Sequence, residues 1–120
     1  MKLVSGLDMV EIKRFTTIKP AIKTRFVARV LTGSEQLESH SDQSLAGRFA
    51  AKEAVAKALG CGIGKISWQE IEILTDSDGA PILRLYGQAA EIAAKLGINI
   101  WSVSITHTGG LAAAQVIGMG

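Results

Sequence analysis

The stretch from Gly47 to Gly60, GRFAAKEAVAKALG, constrains what this chain can fold into more than any other. It reads as one helix, with Ser44 placed to cap its first amides and Gly60 placed to supply the left-handed residue that ends it. At about 100° per residue, Leu45, Phe49, Ala50, Ala51, Ala54, Val55, Ala56, Ala58 and Leu59 cover nearly the whole circumference, so the helix is expected to be buried. Yet it carries Arg48, Lys52, Glu53 and Lys57 as two i,i+4 pairs, Arg48 with Lys52 on one side and Glu53 with Lys57 on another. Charges on a buried helix need partners. One reading leaves the helix half exposed and its four charges solvated; the sharper one turns Glu53 and the three cations toward a polyanion and a metal ion.

The rest of the chain must supply what covers this helix. At 120 residues and 12.7 kDa it is long enough for one modest core, and residues 1–120 are read as a single domain. Aromatics make up only 5%, so small aliphatic side chains must fill that core. Cys61 is the single cysteine, which excludes an internal disulfide and a sulfur-ligated zinc cluster and fits a reducing compartment. No run approaches the ~20 apolar residues of a membrane span, so the expectation is a soluble cytoplasmic protein that engages no membrane. Charge is distributed unevenly. Residues 1–30 hold seven cations against Asp8 and Glu11, a balance of +5, whereas the remainder is −3. A local cationic face implies an acidic partner, or else a solvated surface with none.

Periodicity predicts a strand from Lys2 to Val10 and then a helix from about Met9 to Ile18, with Asp8 and Glu11 in the capping-box positions. Pro20 opens a further helix through Leu31, with Ile22, Phe26, Val27 and Val30 on one face. Thr32 to Glu35 ends it and caps a short helix near Glu35–Glu38, and Ser39 to Ser44 reads as a loop. Beyond Gly64 the pattern turns to strands: Ile66 to Ile73, a turn at Asp76 to Gly79, and Ile82 to Tyr86 as hairpin partner. An Ala-rich helix from Gln88 to Leu96 stops at Gly97. Ile98 to Thr108 and Leu111 to Ile117 flank a tight turn at Gly109-Gly110. Helices followed by mostly antiparallel strands indicate an α+β fold, with helices packed on a small sheet.

Four features can carry chemistry. Asp8 and Glu53 are carboxylates in different elements with apolar surroundings; brought together they would repel unless a cation lay between them, and two carboxylates are what Mg²⁺ commonly takes from protein. The alternative is that Asp8 caps a helix while Glu53 pairs with Lys57. Gly60 to Lys65 superficially resembles a phosphate loop, but it follows a helix and opens a strand, and Ile66 occupies the Ser/Thr position. Helix termination is its main role, with phosphate contact secondary. His107, between Thr106 and Thr108 at a strand end, is placed either to hydrogen-bond a phosphate or move a proton, or simply to hold structure. Finally, Lys13, Arg14, Lys23, Arg25 and Arg29 form a basic face without interleaved aromatic platforms, which argues against nucleic acid and suits an acidic helical protein.

Three motifs together carry a resemblance. Gly6 to Ile12 (GLDMVEI), Arg48 to Gly60 (RFAAKEAVAKALG) and Ser104 to Thr108 (SITHT) resemble those of bacterial holo-acyl-carrier-protein synthase, the small class of 4′-phosphopantetheinyl transferase, in order and spacing across essentially the whole chain. The resemblance implies a 4′-phosphopantetheinyl transferase-like fold. It also implies Mg²⁺-dependent transfer of 4′-phosphopantetheine from coenzyme A to a serine of apo acyl carrier protein, releasing adenosine 3′,5′-bisphosphate in support of fatty acid biosynthesis. Carried over by position, Asp8 and Glu53 are the metal ligands, with Mn²⁺ the alternative ion, and Lys57 joins them as a catalytic residue on the coenzyme phosphates. Arg48, Lys52, Gly62, Gly64, His107 and Thr108 also fall on coenzyme A, and Arg14 and Arg25 on the carrier's acidic helix. A homotrimer with active sites between subunits is implied. Arg48 and Lys52 lie well over 90° around an ideal helix from Glu53 and Lys57, so one pair is expected at a neighbouring subunit's site or a more distant phosphate. Two departures from the family pattern are a short loop from Glu38 to Gln43 and Ser5 at a commonly apolar position. The competing hypothesis is a non-catalytic basic module whose binding would ignore mutation of Asp8 or Glu53.

Overall fold

A computed structural model describes residues 1–38 and 41–120. Its central helix, α4 (Asp42–Ala58), is indeed buried along most of its length. Ser41 caps it, its hydroxyl accepting from the Ser44 amide at 3.0 Å, and Ser44 lies within the first turn. Ser44, expected from sequence as the cap, lies inside the helix, and its hydroxyl accepts a hydrogen bond from Arg48 Nη1 at 2.9 Å. At the other end the Gly60 amide bonds the Lys57 carbonyl and the Cys61 amide bonds that of Ala56. This is the double closure of a Schellman motif, and Gly60 takes the φ of +75° that it requires.

Three antiparallel strands receive the helix, in the order β1 (Leu3–Glu11), β5 (Leu111–Met119), β4 (Ile100–Thr108). The β4–β5 turn is Gly109-Gly110, with φ of +57° and +79°, the signs a tight two-residue hairpin demands. Register sorts the sheet into two faces. Toward α4 lie the rows Val4–Gly118–Trp101, Gly6–Val116–Val103, Asp8–Ala114–Ile105 and Val10–Ala112–His107. These residues are small where helix and sheet meet: a Cβ on Gly6 would stand 1.8 Å from the Ala54 carbonyl oxygen, so only glycine admits the helix backbone here. Away from α4 lie Leu3, Leu7, Met9, Ile100 and Ile117, all exposed.

The other side of α4 is covered by α1 (Lys13–Thr16), α2 (Pro20–Val30), α3 (Gly33–Gln36), a 3₁₀ turn at Trp68–Glu70 and the hairpin β2 (Ile71–Thr75) and β3 (Pro81–Leu85); α5 (Gly87–Leu96) leads into β4. Phe15, Phe26, Phe49 and Trp68 form a ring cluster with centroid separations of 5.0 to 5.8 Å, joining α1, α2, α4 and the 3₁₀ turn. The α+β reading holds, with helices on small antiparallel sheets. Asp8, however, is no N-cap. It pairs with Ala114 in mid-strand, β1 runs on to Glu11, and the following helix shrinks to four residues; nine ladder positions against β5 outweigh one cap. The expected strand from Ile66 begins only at Ile71, because Ser67 and Glu70 form a capping box that bends Trp68–Glu70 into a 3₁₀ turn. Of the predicted loop, Ser39 and His40, and with them the loop-length departure, lie outside the described residues, while Asp42 to Ser44 are helical.

Candidate active site

Asp8 and Glu53 meet because Gly6 lets α4 lie directly on β1. Asp8 points from the helix-facing side of the sheet, its side chain 19% exposed. Lys57, one turn beyond Glu53, does not turn back to it: its ammonium donates to the Leu7 carbonyl at 2.9 Å and to Asp8 Oδ1 at 3.2 Å. Glu53 therefore neither pairs with Lys57 nor makes another hydrogen bond or ion pair among the described residues, and the alternative in which Asp8 caps while Glu53 pairs with Lys57 fails on both counts. Burial first, and the Asp8 charge second, raise the Glu53 carboxyl above the usual carboxylate pKa, while Lys57 and Arg14 pull it back. Two carboxylates that press on one another, one lacking any partner, are a donor set suited to a hard divalent cation. Among the described residues no third His, Cys, Asp or Glu joins them, so protein would supply two ligands, the number Mg²⁺ commonly takes.

Nearer the helix start is a cleft of about 300 Å³, between the first turns of α4, the β2–β3 hairpin and the end of β4. Arg48, Gly47, Gln43, Thr75, Gly79 and His107 are among its walls. His107 Nε2 lies 2.8 Å from the Gln43 carbonyl oxygen, which can only accept, so Nε2 carries hydrogen in this contact. Gly47 makes room for it: a Cβ there would meet Ile105 Cγ2 at 2.8 Å and His107 Nε2 at 3.1 Å. Neither Gly47 nor Gln43 was singled out from sequence, although a glycine inside an Ala-rich helix, costing about 1 kcal/mol, is itself a signal of close approach. Arg48 borders the cleft with its guanidinium already engaged, Nε by the Ile73 carbonyl at 3.0 Å, Nη1 by Ser44 and Nη2 by Glu38. Three of its five donors are thereby used, one of them on Glu38.

Lys52 is the correction. Expected on coenzyme A, it has no exposed surface; its ammonium donates to the Val30 carbonyl (2.6 Å), Glu35 Oε1 (2.6 Å) and the Trp68 carbonyl (3.1 Å), which uses all three hydrogens. No ligand can reach it, and the idea that Arg48 and Lys52 act as one pair on a phosphate falls with it. Gly62 and Gly64 are exposed in the loop after α4, beyond Lys57, and Thr108 is exposed at the end of β4 beside His107. Arg14 lies 5.5 Å from the centre of the Phe49 ring and 6.0 Å from that of Phe15, which props its guanidinium at the α1–α4 junction. Arg25 is exposed on α2.

Comparison with known proteins gives the family. Residues 5–115 match the 4′-phosphopantetheinyl transferase superfamily. The chain is 48% identical over 126 residues to the holo-[acyl-carrier-protein] synthase of Herpetosiphon aurantiacus, covering 98% of this chain and 99% of that protein. It is 47% identical to that of Campylobacter fetus, over 93% of this chain and 96% of that one. Among solved structures it resembles the Helicobacter pylori enzyme in complex with coenzyme A, with a TM-score of 0.84 at 36% identity, covering 96% of this chain and 99% of that one. The Neisseria meningitidis enzyme superposes with a TM-score of 0.85 at 34% identity, covering 98% of each chain. The non-catalytic basic module is thereby set aside: the chain belongs to the 4′-phosphopantetheinyl transferase superfamily, as an enzyme of its holo-[acyl-carrier-protein] synthase type.

Proposed function

We propose that this protein transfers 4′-phosphopantetheine from coenzyme A to a serine of apo acyl carrier protein, and that it does so with Mg²⁺ held by Asp8 and Glu53, Mn²⁺ being the alternative. The observation that carries this is the Asp8–Glu53 carboxylate pair beside Lys57. When bound there, the ion supplies charge neutralisation for a pyrophosphate. The serine oxygen attacks the β-phosphorus in line, the bond from that phosphorus to the bridging oxygen breaks, and adenosine 3′,5′-bisphosphate leaves. Lys57, half exposed and holding only a carbonyl and one carboxylate oxygen, turns its ammonium to the phosphate oxygens as negative charge builds there. Glu53 and a water on the ion are the two groups placed to accept the serine proton.

The cleft at the start of α4 takes the nucleotide end, with His107 and Arg48 in its walls and Thr108 next to His107 on β4; Gly62 and Gly64 lie along the phosphates beyond Lys57. Gly47 and Glu53 are six residues apart, roughly 9 Å along a helix axis, so the cleft and the carboxylate pair lie on one helix. Arg14 and Arg25 receive the acidic face of the carrier. The exposed sheet face with Leu3, Leu7, Met9, Ile100 and Ile117 is the apolar surface that a homotrimer would cover, placing active sites between subunits. Among the described residues no helix is long and apolar enough to cross a membrane, in keeping with a cytoplasmic role in fatty acid biosynthesis. The test is to incubate the protein with apo carrier, coenzyme A and Mg²⁺ and weigh the carrier. A phosphopantetheine mass increment that disappears with chelator is expected; no increment on any carrier overturns the reading.

A further inference from the structure

We propose that Lys52 is a positioning residue for the carrier protein: from α4 its buried ammonium caps the C-terminal end of α2 and so fixes the angle at which α2 presents Arg25. This rests on the reading of α2 as a carrier-docking helix. The last carbonyls of any helix lack intrahelical partners. In α4 and α5 those carbonyls are closed locally, by Schellman bonds around Gly60 and Gly97. In α2 no glycine follows; Leu31 turns straight into extended backbone with ψ of 140°. Its end is closed by side chains from elsewhere, Lys52 to the Val30 carbonyl at 2.6 Å and Gln69 Nε2 to the carbonyls of Ala28 (2.7 Å) and Leu31 (3.1 Å), alongside Gln36 to Leu31 at 3.1 Å.

A cation at that place also complements the negative end of the helix dipole. Its own charge is matched by Glu35, which has no exposed surface and whose second oxygen accepts the Ile73 amide at 2.9 Å, so the pair ties α2, α3, α4 and β2 at one point. A buried ion pair is seldom the most stable filling for such a space, since apolar residues of similar volume do as well or better. What it adds is direction. The Phe26 ring contacts are not directional, and Lys23 to Asp42 holds the other end of α2, whereas the Lys52 hydrogen bond to the Val30 carbonyl fixes the end of the helix. Lys52 and Glu53 are consecutive, so the residue that holds the docking helix and the carboxylate at the proposed metal site share one backbone segment.

Two variants test this. Lys52→Met with Glu35→Gln removes the charge pair together, and Gln69→Leu removes the second cap from an exposed position. For each, the KM for apo carrier and the dissociation constant for coenzyme A (by calorimetry) are compared with those of the unmodified protein, with a melting curve to establish folding. The expected result is a carrier KM raised about fivefold, the equivalent of one hydrogen bond, with coenzyme A affinity unchanged. Arg25→Ala should add less to the carrier KM in the Lys52→Met, Glu35→Gln background than alone, because a misdirected helix no longer uses Arg25 fully. A folded variant with unchanged carrier KM, or one losing coenzyme A affinity by the same factor, overturns the proposal; if the double variant does not fold, Gln69→Leu decides. Failure of the unmodified protein to label any carrier would instead overturn the proposed reaction.

Discussion

Arg48 and Lys52 lie one turn apart on α4, as do Glu53 and Lys57, and the same spacing leads to opposite fates. The first pair faces the α2–α3–β2 layer, where the end of α2, the 3₁₀ turn and β2 leave carbonyls of Val30, Trp68 and Ile73 and the carboxylates of Glu35 and Glu38 within reach. Every donor of Lys52 is used. The second pair faces β1, which offers it the Leu7 carbonyl and the Asp8 carboxylate. Lys57 takes both and Glu53 is left with none. Charge that is buried and fully matched builds the fold, whereas charge that is half buried and unmatched is available to a ligand.

That contrast predicts opposite readouts on the two faces. The largest effect falls on the unmatched side: Glu53→Ala or Asp8→Ala should lower turnover by about a thousandfold or more while the melting temperature stays within a few degrees of the unmodified protein. Retained turnover in both variants would show that the carboxylate pair is not the reaction centre. Next comes the matched side. Lys52→Ala leaves Glu35 buried without its counter-charge and should cost about 3–5 kcal/mol in denaturant unfolding. Lys57→Ala, the exposed lysine one turn past Glu53, should cost under ~1 kcal/mol in the same experiment, yet reduce turnover about a hundredfold. If the two lysines proved equally costly to stability, the division of α4 into a structural and a chemical face would fail.

Sequence alone identified the helix, its burial and Gly60 as its end, because these depend on local chemistry. It misassigned Lys52 for a physical reason. A helix apolar all round has no polar face on which to put its charges, so the pattern cannot say which cation turns inward; that is decided by where α2 ends and the 3₁₀ turn begins, 22 and 16 residues away in the chain. Asp8 was misread as a cap for the same kind of reason. Its strand partner, Ala114, is over a hundred residues distant, and a local capping-box signature cannot weigh against it. The cleft at His107 was invisible because it depends on Gly47 and Gln43 meeting β4, although the glycine in mid-helix pointed to close approach.

The smallest predicted effect asks whether Glu53 is unmatched in the metal-free protein. Burial and the Asp8 charge raise its folded-state pKa above that of an unfolded glutamate. The folded state then binds more protons than the unfolded state between those two pKa values, so stability falls as pH rises through that window and stays lower above it. Glu53 therefore destabilises the chelator-treated protein at neutral pH and does not at acid pH, where both states are protonated. Glu53→Gln should raise the metal-free melting temperature by a few degrees at most at neutral pH, with the gain vanishing below about pH 4. Mg²⁺ should reproduce that gain in the unmodified protein and add nothing to the Glu53→Gln variant, because the ion and the amide relieve the same repulsion. A Glu53→Gln variant less stable than its parent at neutral pH would mean that the carboxylate is matched after all, and the two faces of α4 would no longer differ in kind.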